Sequence, residues 1–474
     1  MAYTDLREYL GVLEAKGKLF RIKNEVDRTW ETSAISRRVF DRLPDEKRPA
    51  LFFERIKGST MPMTIGVLGA SREIYSLALG CSVEEIPERW AEAQTAPIAP
   101  QAVREGPCHE IVYEGDAVDA TQLPASTWTV EHDSGPYLTA PCVVSHDPDT
   151  GERNVGTYRI EMRSPRRVGL QLSNATRDMW THIHKNELAG RNTPCSIVLG
   201  ADPTVGLVAV SRVAYGLDEF AVASALRRAP LTLVKGITND IEVPAMSEIV
   251  LEGEVLCGER EPEGPFGEYT GYMSDAGPSY VIQINAITHR RNPIFHDFLS
   301  QMPPSESSVI RGTGREVAIF KHLSRDLRMP VRDVHFLHPG GGAALLAISM
   351  TPKFKGQAMQ AAWGAWSVDP SLCKYTVIVD EDIDVRSEFE VLWAMCWRTE
   401  PQRDVQIVRE TPPTPLDPST SPPDMPRAQR RDMLSSKVLV DATRKHRFPP
   451  NATPPREHLR RVDERWADYG FPAL

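Results

Sequence analysis

The apolar residues of the first hundred positions recur with helical spacing in some stretches and with strand spacing in others. The helical period predicts a helix over residues 4–16 with Thr4 as its N-cap, because a threonine side chain can accept a hydrogen bond from a free backbone N–H group. Further helices are predicted over residues 31–40 and 77–93, and strands over residues 19–22, 50–54 and 63–68. These elements predict an N-terminal α/β module at residues 1–108.

From about residue 110, short strand-like runs follow one another and are separated by turn residues. Two helices interrupt this series, at residues 177–187 and 219–227. Such runs are typical of an antiparallel sheet or barrel, so residues 109–314 are expected to form a central β domain. The predicted strands cover residues 111–113, 142–145, 156–162, 196–199, 231–234, 249–255 and 280–288.

Beyond residue 315 the pattern alternates between helices and strands again, which predicts a C-terminal α/β domain with a partly parallel sheet at residues 315–474. Residues 411–426 contain seven prolines and are predicted to be a linker or a wrapping segment. A charged helix over residues 456–469 could dock on another subunit. The other predicted elements are helices at 317–327, 357–366 and 388–398 and strands at 343–349 and 375–379.

The composition narrows the class of protein without identifying it. A chain of 474 residues with 41% hydrophobic and 25% charged residues is expected to form two or three globular domains. The net charge of -9 disfavours nucleic acid as a partner, and the apolar runs are too short to span a membrane. Seven scattered cysteines, with no Cys-x-x-Cys pair, favour a reducing, cytoplasmic location.

Two carboxylates flank a Gly-Pro-Phe-Gly turn at residues 264–267 and form the most informative motif of the chain. Glycine and proline favour an irregular backbone there, and such a loop can direct Glu263 and Glu268 into one cavity. When two acids share a cavity, one can be protonated while the other is charged, as general acid catalysis requires. The alternative interpretation is a solvated acidic turn.

The segment at residues 154–163 alternates like a strand. Asn154 and Arg159 have opposite parity, so they share a face only if Gly156 carries a bulge or bend. Arg159 could hold a carboxylate through two parallel hydrogen bonds, and the alternative is a surface ion pair. His182 and His184 are two further candidates for metal binding, but helix-surface histidines are the favoured interpretation.

Several motifs occur in one order along the chain: residues 154–159, Thr-Asn-Asp-Ile-Glu-Val-Pro-Ala at 238–245, Glu-Gly-Pro-Phe-Gly-Glu at 263–268, and Ser-Lys-Val-Leu-Val-Asp-Ala-Thr at 436–443. Together they resemble the UbiD family of decarboxylases, which use prenylated FMN. The resemblance covers nearly the whole chain. It implies an N-terminal α/β module, a central split β-barrel of the FMN-binding type and a C-terminal α/β domain used for oligomerisation.

The resemblance also implies a reaction and its catalytic residues. The expected activity is reversible, non-oxidative decarboxylation of an aromatic, heteroaromatic or α,β-unsaturated carboxylic acid. Glu268 would protonate the carbon that loses carbon dioxide, while Arg159 and Glu263 would tune that acid and orient the substrate carboxylate. The modified flavin would accept the electron pair that the departing carboxylate leaves behind.

In this family a divalent metal and a potassium ion hold the flavin phosphate. The resemblance implies Asn154 and Glu219 as metal ligands, and oxygen ligands favour manganese or magnesium. The third family ligand is a histidine, but residues 170–177 contain none. Asn174, Arg177 or His182 could take its place. The full set of expected flavin contacts is Asn154, Gly156, Thr157, Tyr158, Arg159, Asn174, Arg177 and Glu219.

A substrate pocket and several partners complete these expectations. Tyr269, His296, Met302 and Lys437 are candidates for lining the pocket, and plain core packing is the alternative for each. A flavin prenyltransferase of the UbiX type would supply the cofactor. The assembly is expected to be a homodimer or a higher multiple. Competing functions are a non-catalytic flavin-binding protein of the same fold and an ordinary FMN oxidoreductase.

Overall fold

The structure is a computed structural model that describes residues 3–172, 178–211, 213–214, 216–414, 416–422, 425, 427–430 and 432–470. Its N-terminal part is a four-stranded sheet in the order β1-β2-β3-β16, with helices packed against it. Strand β16 comes from much later in the chain. The elements are α1 Leu6–Ala15, β1 Leu19–Val26, α2 Glu31–Arg42, β2 Ala50–Ile56, β3 Met63–Ile65, α3 Arg72–Ala78, α4 Ile86–Thr95 and β4 Gln101–Ala102.

The central part is built on a large sheet of nine strands in the order β6-β9-β10-β15-β14-β11-β7-β8, with β5 paired to β15. A smaller sheet has the order β13-β12-β4. The elements are β5 Ile111–Glu114, β6 Tyr137–Leu138, β7 Cys142–His146, β8 Arg153–Thr157, β9 Ile160–Met162, β10 Arg167–Leu170, α5 Asp178–Leu188, β11 Thr193–Leu199, α6 Pro203–Val210, α7 Glu219–Arg227, β12 Thr232–Lys235, β13 Glu242–Pro244, β14 Ile249–Glu263, β15 Gly277–His289 and β16 Phe295–His296.

The C-terminal part is a five-stranded sheet in the order β17-β18-β19-β21-β20, whose three inner strands are parallel. The elements are α8 Glu306–Lys321, β17 Val331–Phe336, β18 Leu345–Met350, α9 Gln357–Val368, β19 Tyr375–Val379, α10 Glu388–Arg398, α11 Pro401–Asp404, β20 Val405–Thr411, α12 Arg427–Arg430, β21 Ser435–Ala442 and α13 Arg456–Asp463.

One hydrophobic core runs through the N-terminal and central parts, and two further clusters lie in the C-terminal part. The predicted α/β fold class with a curled, barrel-like central sheet is confirmed. Within the described residues, no helix is both long and apolar enough to cross a bilayer. Because β14 and β15 form a long hairpin at the centre of the large sheet, the loop that joins them projects from a rigid base.

The structure corrects four predicted elements. Helix α1 is capped by Asp5, whose carboxylate accepts the Glu8 N–H, rather than by Thr4. The single helix predicted at 77–93 is two helices, since Gly80 has a φ of +62° and Pro87 begins a new helix. The strand predicted at 156–162 is interrupted between β8 and β9. Helix α8 begins at Glu306, earlier than the predicted start at residue 317.

Candidate active site

Arg159 lies in the short break between strands β8 and β9. The pairing of β7 with β8 runs from Cys142↔Thr157 to His146↔Arg153 without a shift, so the bend comes after the strand rather than at Gly156. A Cβ atom at residue 156 would overlap the Tyr158 ring, so the glycine gives that ring room to fold back. Because Arg159 lies in this break, the direction of its side chain does not have to follow the alternation of strand β8.

Glu263 is the last residue of β14, and Glu268 lies in the loop that follows. This loop is compact: the Glu268 N–H donates to the Tyr272 carbonyl at 2.9 Å, and the Gly271 N–H donates to the Glu268 carbonyl at 2.9 Å. Gly264, with a φ of +84°, takes a conformation that favours glycine. The motif thus holds both acids in one tight turn at the end of a long strand.

The structure brings Arg159, Glu263 and Glu268 into direct contact. Arg159 donates from Nε to Glu263 Oε1 at 2.8 Å and from Nη2 to Oε2 at 3.0 Å, and its Nη1 donates to Glu268 Oε1. The exposed fractions of the three side chains are 11%, 1% and 17%. Burial opposes the positive charge, but the two carboxylates outweigh it and raise the pKa of the guanidinium. The alternatives of a solvated turn and a surface ion pair are therefore wrong.

Three more side chains contact this network. Two of them were not predicted from the sequence. Tyr137 donates its hydroxyl to Glu263 Oε1 at 3.1 Å, and the Ser274 hydroxyl accepts from Arg159 Nη2 at 3.2 Å. The Arg159 guanidinium also lies 5.0 Å from the centre of the Phe266 ring. Only Phe266 belongs to the motif, so no local signal in the sequence marked Tyr137 or Ser274.

Asp133 is a further, half-buried acid beside this network. Its Oδ2 accepts from the Trp128 and Thr129 N–H groups at 2.9 and 2.6 Å, while no described residue donates a hydrogen bond to its buried Oδ1. Burial raises the pKa of this carboxyl to about 6, although Arg159 and the backbone donors pull it down. Because Asp133 lies in an irregular segment without a recognisable motif, it was not predicted from the sequence.

Asn154 and Glu219 come together next to strand β8. Glu219 Oε2 accepts the Val155 N–H at 3.0 Å, so its carboxylate lies beside the residue that follows Asn154. Burial raises the pKa of Glu219 to about 8, and no described basic side chain forms an ion pair with it. Among the described residues, none accepts a hydrogen bond from the buried Asn154 Nδ2 atom. The Glu219 carboxylate and the Asn154 amide oxygen form a donor set that fits a divalent cation.

The third position of the expected metal site is not described, because Asn174 and Arg177 lie outside the described residues. His182 is buried rather than on the helix surface, and its Nδ1 lies 2.9 Å from the Ser145 hydroxyl. Burial lowers the pKa of His182 to about 4. Ser145 is the β7 neighbour of Asn154, so this imidazole packs close to the proposed cation site. Among the described residues, no three His, Cys, Asp or Glu side chains form a metal-binding group.

The four substrate-pocket candidates are placed differently from one another. Tyr269 and Lys437 line a common cavity, which Arg159 does not line. His296 is buried, its Nε2 has no hydrogen-bond partner, and burial lowers its pKa to about 4. Met302 is half exposed and packs against Gly271 in the loop that carries Glu268. Their roles remain predictions.

Asp297 should make the stability of the protein depend on pH. Its Oδ1 accepts from the Thr139 and Ala140 N–H groups at 2.7 and 3.2 Å, while its buried Oδ2 accepts no hydrogen bond from the part of the chain that the structure describes. Burial raises the pKa of this carboxyl to about 7. The folded state therefore keeps a proton up to about pH 7 that the unfolded chain releases at its ordinary pKa of 3.8, and stability falls as pH rises between these values.

Asp297→Asn mimics the protonated acid, because the amide nitrogen can occupy the position of Oδ2. In the wild type the free energy of unfolding should fall by up to about 1.4 kcal/mol per pH unit between these two pKa values, and we expect this dependence to be absent in the variant. Its thermal midpoint should be higher than that of the wild type at pH 7.5, with a smaller difference at pH 5.5. Equal pH profiles for the two proteins would contradict a protonated Asp297.

Three family models match successive parts of the chain between residues 10 and 442. The N-terminal domain of 3-octaprenyl-4-hydroxybenzoate carboxy-lyase matches residues 10–94, its Rift-related domain matches residues 101–303, and its C-terminal domain matches residues 308–442. The chain belongs to the UbiD family. The predicted family is confirmed, and so is the predicted class of enzyme, a carboxy-lyase. The predicted domain boundaries at residues 108 and 314 stay predictions.

Individual relatives agree with this placement. A phenolic acid decarboxylase from Sedimentibacter hydroxybenzoicus is 33% identical and matches over 96% of this chain and 94% of its own. The UbiD-class enzyme HmfF from Pelotomaculum thermopropionicum, solved with FMN, superposes with a TM-score of 0.88 at 34% identity, covering 98% of this chain and 100% of that one. An evolved dimeric form of HmfF, solved with prFMN, gives 0.84 at 33% identity over 96% and 98%.

Proposed function

We propose that this UbiD-family protein is a reversible decarboxylase of an aromatic, heteroaromatic or α,β-unsaturated carboxylic acid that uses prenylated FMN. The contact of Arg159 with both Glu263 and Glu268 in a largely buried site carries this proposal. A flavin carrier would have no use for two acids around one guanidinium, and hydride transfer would not require them. The phenolic acid decarboxylase among the relatives supports an aromatic acid as the substrate.

The contacts of Glu263 and Glu268 indicate a different role for each acid. Glu263 is nearly fully buried, and both of its oxygens accept from Arg159 while one also accepts from Tyr137. Its hydrogen-bonding capacity is therefore used in holding the guanidinium in place. Glu268 contacts Arg159 through one oxygen and is the more exposed of the two acids. Glu268 is thus the acid that can deliver a proton, and Arg159 can still orient the substrate carboxylate.

A single proton makes this site electrically neutral. One guanidinium and two carboxylates sum to one negative charge, so one proton on Glu268 would balance the buried charges. Glu268 then donates this proton to the carbon that has lost carbon dioxide, and solvent restores it at the exposed edge of the side chain. In the carboxylation direction the same carboxylate accepts a proton from that carbon.

Prenylated FMN, when bound, would accept the electron pair that remains after carbon dioxide leaves. Asn154 and Glu219 would hold a manganese or magnesium ion at the flavin phosphate, together with a potassium ion. The buried carboxyl of Glu219, which forms no ion pair with a described basic side chain, and the amide oxygen of the neighbouring Asn154 support this assignment. We assign the remaining flavin contacts to Gly156, Thr157, Tyr158, Arg159, Asn174 and Arg177.

His296 is the substrate-pocket candidate with the clearest chemical reason. It is buried, and its Nε2 atom has no hydrogen-bond partner among the described residues, so a polar ring substituent of a substrate would satisfy it. Burial lowers the pKa of this imidazole to about 4, so it would be neutral at pH 7 and able to donate or accept one hydrogen bond. Met302 and Tyr269 flank the loop that carries Glu268.

Co-expression with a UbiX-type flavin prenyltransferase tests the proposed function. We expect the purified protein to carry prenylated FMN, identified by its absorbance and mass, and to release carbon dioxide from at least one acid in a panel of hydroxybenzoates, furoates and cinnamates. Prenylated flavin bound without carbon dioxide release from any acid would favour the non-catalytic flavin-binding protein. Unmodified FMN bound in its place, with no release, would favour an oxidoreductase.

Exposed apolar side chains on the C-terminal part support the proposed homo-oligomer. Phe389 and Trp397 on helix α10 are 78% and 72% exposed, and Ile407 on the edge strand β20 is 65% exposed. Large apolar side chains gathered on one surface are typical of a protein interface. A two-fold dimer is the simplest assembly that buries such a surface.

The double variant Phe389→Ser/Trp397→Ser is expected to shift the protein from a dimer, or a multiple of dimers, toward the monomer. Light scattering coupled to size-exclusion chromatography measures this mass. Leu188→Ser is the matched control, because Leu188 is 77% exposed on helix α5 in the central part. An unchanged mass in the double variant, or an equal shift in the control, would contradict the interface.

A further inference from the structure

A cavity of about 270 Å³ lies between the loop that carries Glu268 and the proline-rich segment of the C-terminal part. Arg159, Glu263 and Glu268 are not among the described residues that line it. The cavity is therefore distinct from the acid pair, although it begins one residue beyond Glu268. Tyrosine and proline side chains line part of it, among them Tyr269, Tyr272, Tyr375, Pro412 and Pro413, and serine and threonine side chains line much of the rest.

Two lysines line this cavity, and their surroundings differ. Lys374 donates to Asp417 Oδ2 at 2.8 Å and to the Ser419 hydroxyl at 2.6 Å, so its charge is already balanced. Lys437 is only 4% exposed, and its Nζ donates to the Leu372 carbonyl oxygen. Among the described residues, no carboxylate forms an ion pair with Lys437. Lys437, a residue of the cavity lining, thus carries a buried ammonium group that forms no ion pair within the described part of the chain, although the charge of Asp369 favours it from a distance.

A buried charge without a partner is unfavourable, and burial accordingly lowers the pKa of Lys437. An anion in the cavity would relieve this penalty through a charge-assisted hydrogen bond. The tyrosine and proline side chains provide flat, apolar faces on which a planar ring can pack, and the serine and threonine hydroxyls of the lining can donate hydrogen bonds to a carboxylate. One monovalent cation also matches a monocarboxylate better than a phosphate dianion.

We propose that this cavity is a second binding site, for an aromatic monocarboxylate whose carboxylate contacts Lys437 and whose ring packs between the tyrosines and prolines. The existence of the site rests on the cavity and on Lys437 alone. Only the choice of an aromatic acid rests on the proposed function, since such acids would be its substrates. The site is separate from the one in which Glu268 acts.

The position of Tyr269 connects this second site to the catalytic loop. Tyr269 follows Glu268 directly, and its hydroxyl lies 2.9 Å from the Thr414 hydroxyl in the proline-rich segment. The Arg311 guanidinium covers the other part of the ring at 4.1 Å from its centre. A ligand in the cavity would contact this tyrosine, so a bound aromatic acid would act on the position of the Glu268 loop.

Titration with 4-fluorobenzoate, followed by ¹⁹F NMR on the flavin-loaded full-length protein, tests the second site. Lys437→Met has a side chain of similar length without the charge, and Lys374→Met is the matched control. We expect the affinity of one site to fall at least about tenfold in Lys437→Met, as the loss of a charge-assisted hydrogen bond predicts. The affinity of that site should be unchanged in Lys374→Met and in Glu268→Gln.

Equal affinity for 4-fluorobenzoate in Lys437→Met and the wild type would overturn the proposal. So would binding of a single equivalent that Glu268→Gln alone abolishes, because the acid would then occupy only the catalytic site. If Lys437→Met does not fold, Ala344→Phe fills the cavity from its wall and should abolish the same binding. The probe 4-fluorobenzylamine, with the same ring and a positive charge, should not compete.

The titration with 4-fluorobenzoate measures binding and does not require the protein to release carbon dioxide. A protein that binds two equivalents, one of them sensitive to Lys437→Met, but releases no carbon dioxide would keep the second site and refute the proposed decarboxylase. A protein that decarboxylates an aromatic acid but binds 4-fluorobenzoate at one site only would refute the second site and keep the proposed decarboxylase. The two proposals therefore fail independently of each other.

Discussion

Replacing Glu268 with glutamine is expected to lower kcat per bound flavin by a factor of about 10²–10⁴, the usual contribution of a positioned general acid. Glutamine keeps the size of the side chain and can still accept a hydrogen bond from Arg159, but it cannot donate a proton. Glu263 still neutralises the guanidinium in this variant, so the site should keep its geometry. Carbon dioxide release, normalised to flavin content, measures the effect.

Glu261→Gln is the matched control for this experiment. Glu261 lies two residues before Glu263, but its carboxylate is 37% exposed and pairs with Arg163 and Arg167 rather than with Arg159. We expect its kcat to remain within about twofold of the wild type, since surface ion pairs contribute little. Normal turnover in Glu268→Gln, or an equal loss in Glu261→Gln, would refute Glu268 as the proton donor.

Replacing Arg159 with methionine is expected to have the largest effect on stability. Glu263 is 1% exposed and would lose both hydrogen bonds from the guanidinium. Removing one partner of a buried ion pair typically costs ~3–5 kcal/mol, because it strands an uncompensated charge. Equilibrium urea unfolding, followed by tryptophan fluorescence, measures the change in free energy.

Two further variants separate this buried pair from ordinary ion pairs. Arg167→Met should cost less than about 1 kcal/mol, because its partners Glu259 and Glu261 are 50% and 37% exposed. The double variant Arg159→Met/Glu263→Gln should recover part of the stability, because it removes the stranded charge. If the double variant is as unstable as Arg159→Met alone, the loss reflects packing rather than charge.

The central triad could be predicted from the sequence because its residues lie in short motifs. Glu263 and Glu268 flank a turn of four residues, and Arg159 lies in a segment that resembles the same family. Their meeting across 104 and 109 positions of the chain followed from the resemblance and not from any spacing rule. The alternation of side chains along the strand did not predict the position of Arg159. The strand breaks at Tyr158, whereas a bulge at Gly156 was expected.

The supporting residues could not be predicted, for a physical reason. Tyr137 lies 126 positions before Glu263, and only the order of strands in the large sheet brings its hydroxyl to that carboxylate. Asp133 caps backbone N–H groups in an irregular loop, a role that any short polar residue could fill. Lys437 stays a prediction for the substrate pocket, while the pairing of β21 with β19 and β20 places it in the lining of the cavity beside the Glu268 loop.

The same logic explains the errors at the ends of elements. Thr4 and Asp5 are both good helix caps, and one residue of register decides between them. The interruption of the predicted helix at 77–93 was marked by Gly80 and Pro87, which the periodicity of the apolar residues outweighed. Apolar spacing thus located most elements, whereas turn residues set where they end.

The account depends most directly on proton delivery by Glu268 at the carbon that loses carbon dioxide. The decisive measurement is a reaction in deuterated water with flavin-loaded wild type and Glu268→Gln, with the product analysed by mass spectrometry. We predict one deuterium at that carbon for the wild type and, at matched flavin content, a rate of product formation lower by a factor of about 10²–10⁴ for Glu268→Gln. Deuterated product formed by Glu268→Gln at the wild-type rate would contradict the account.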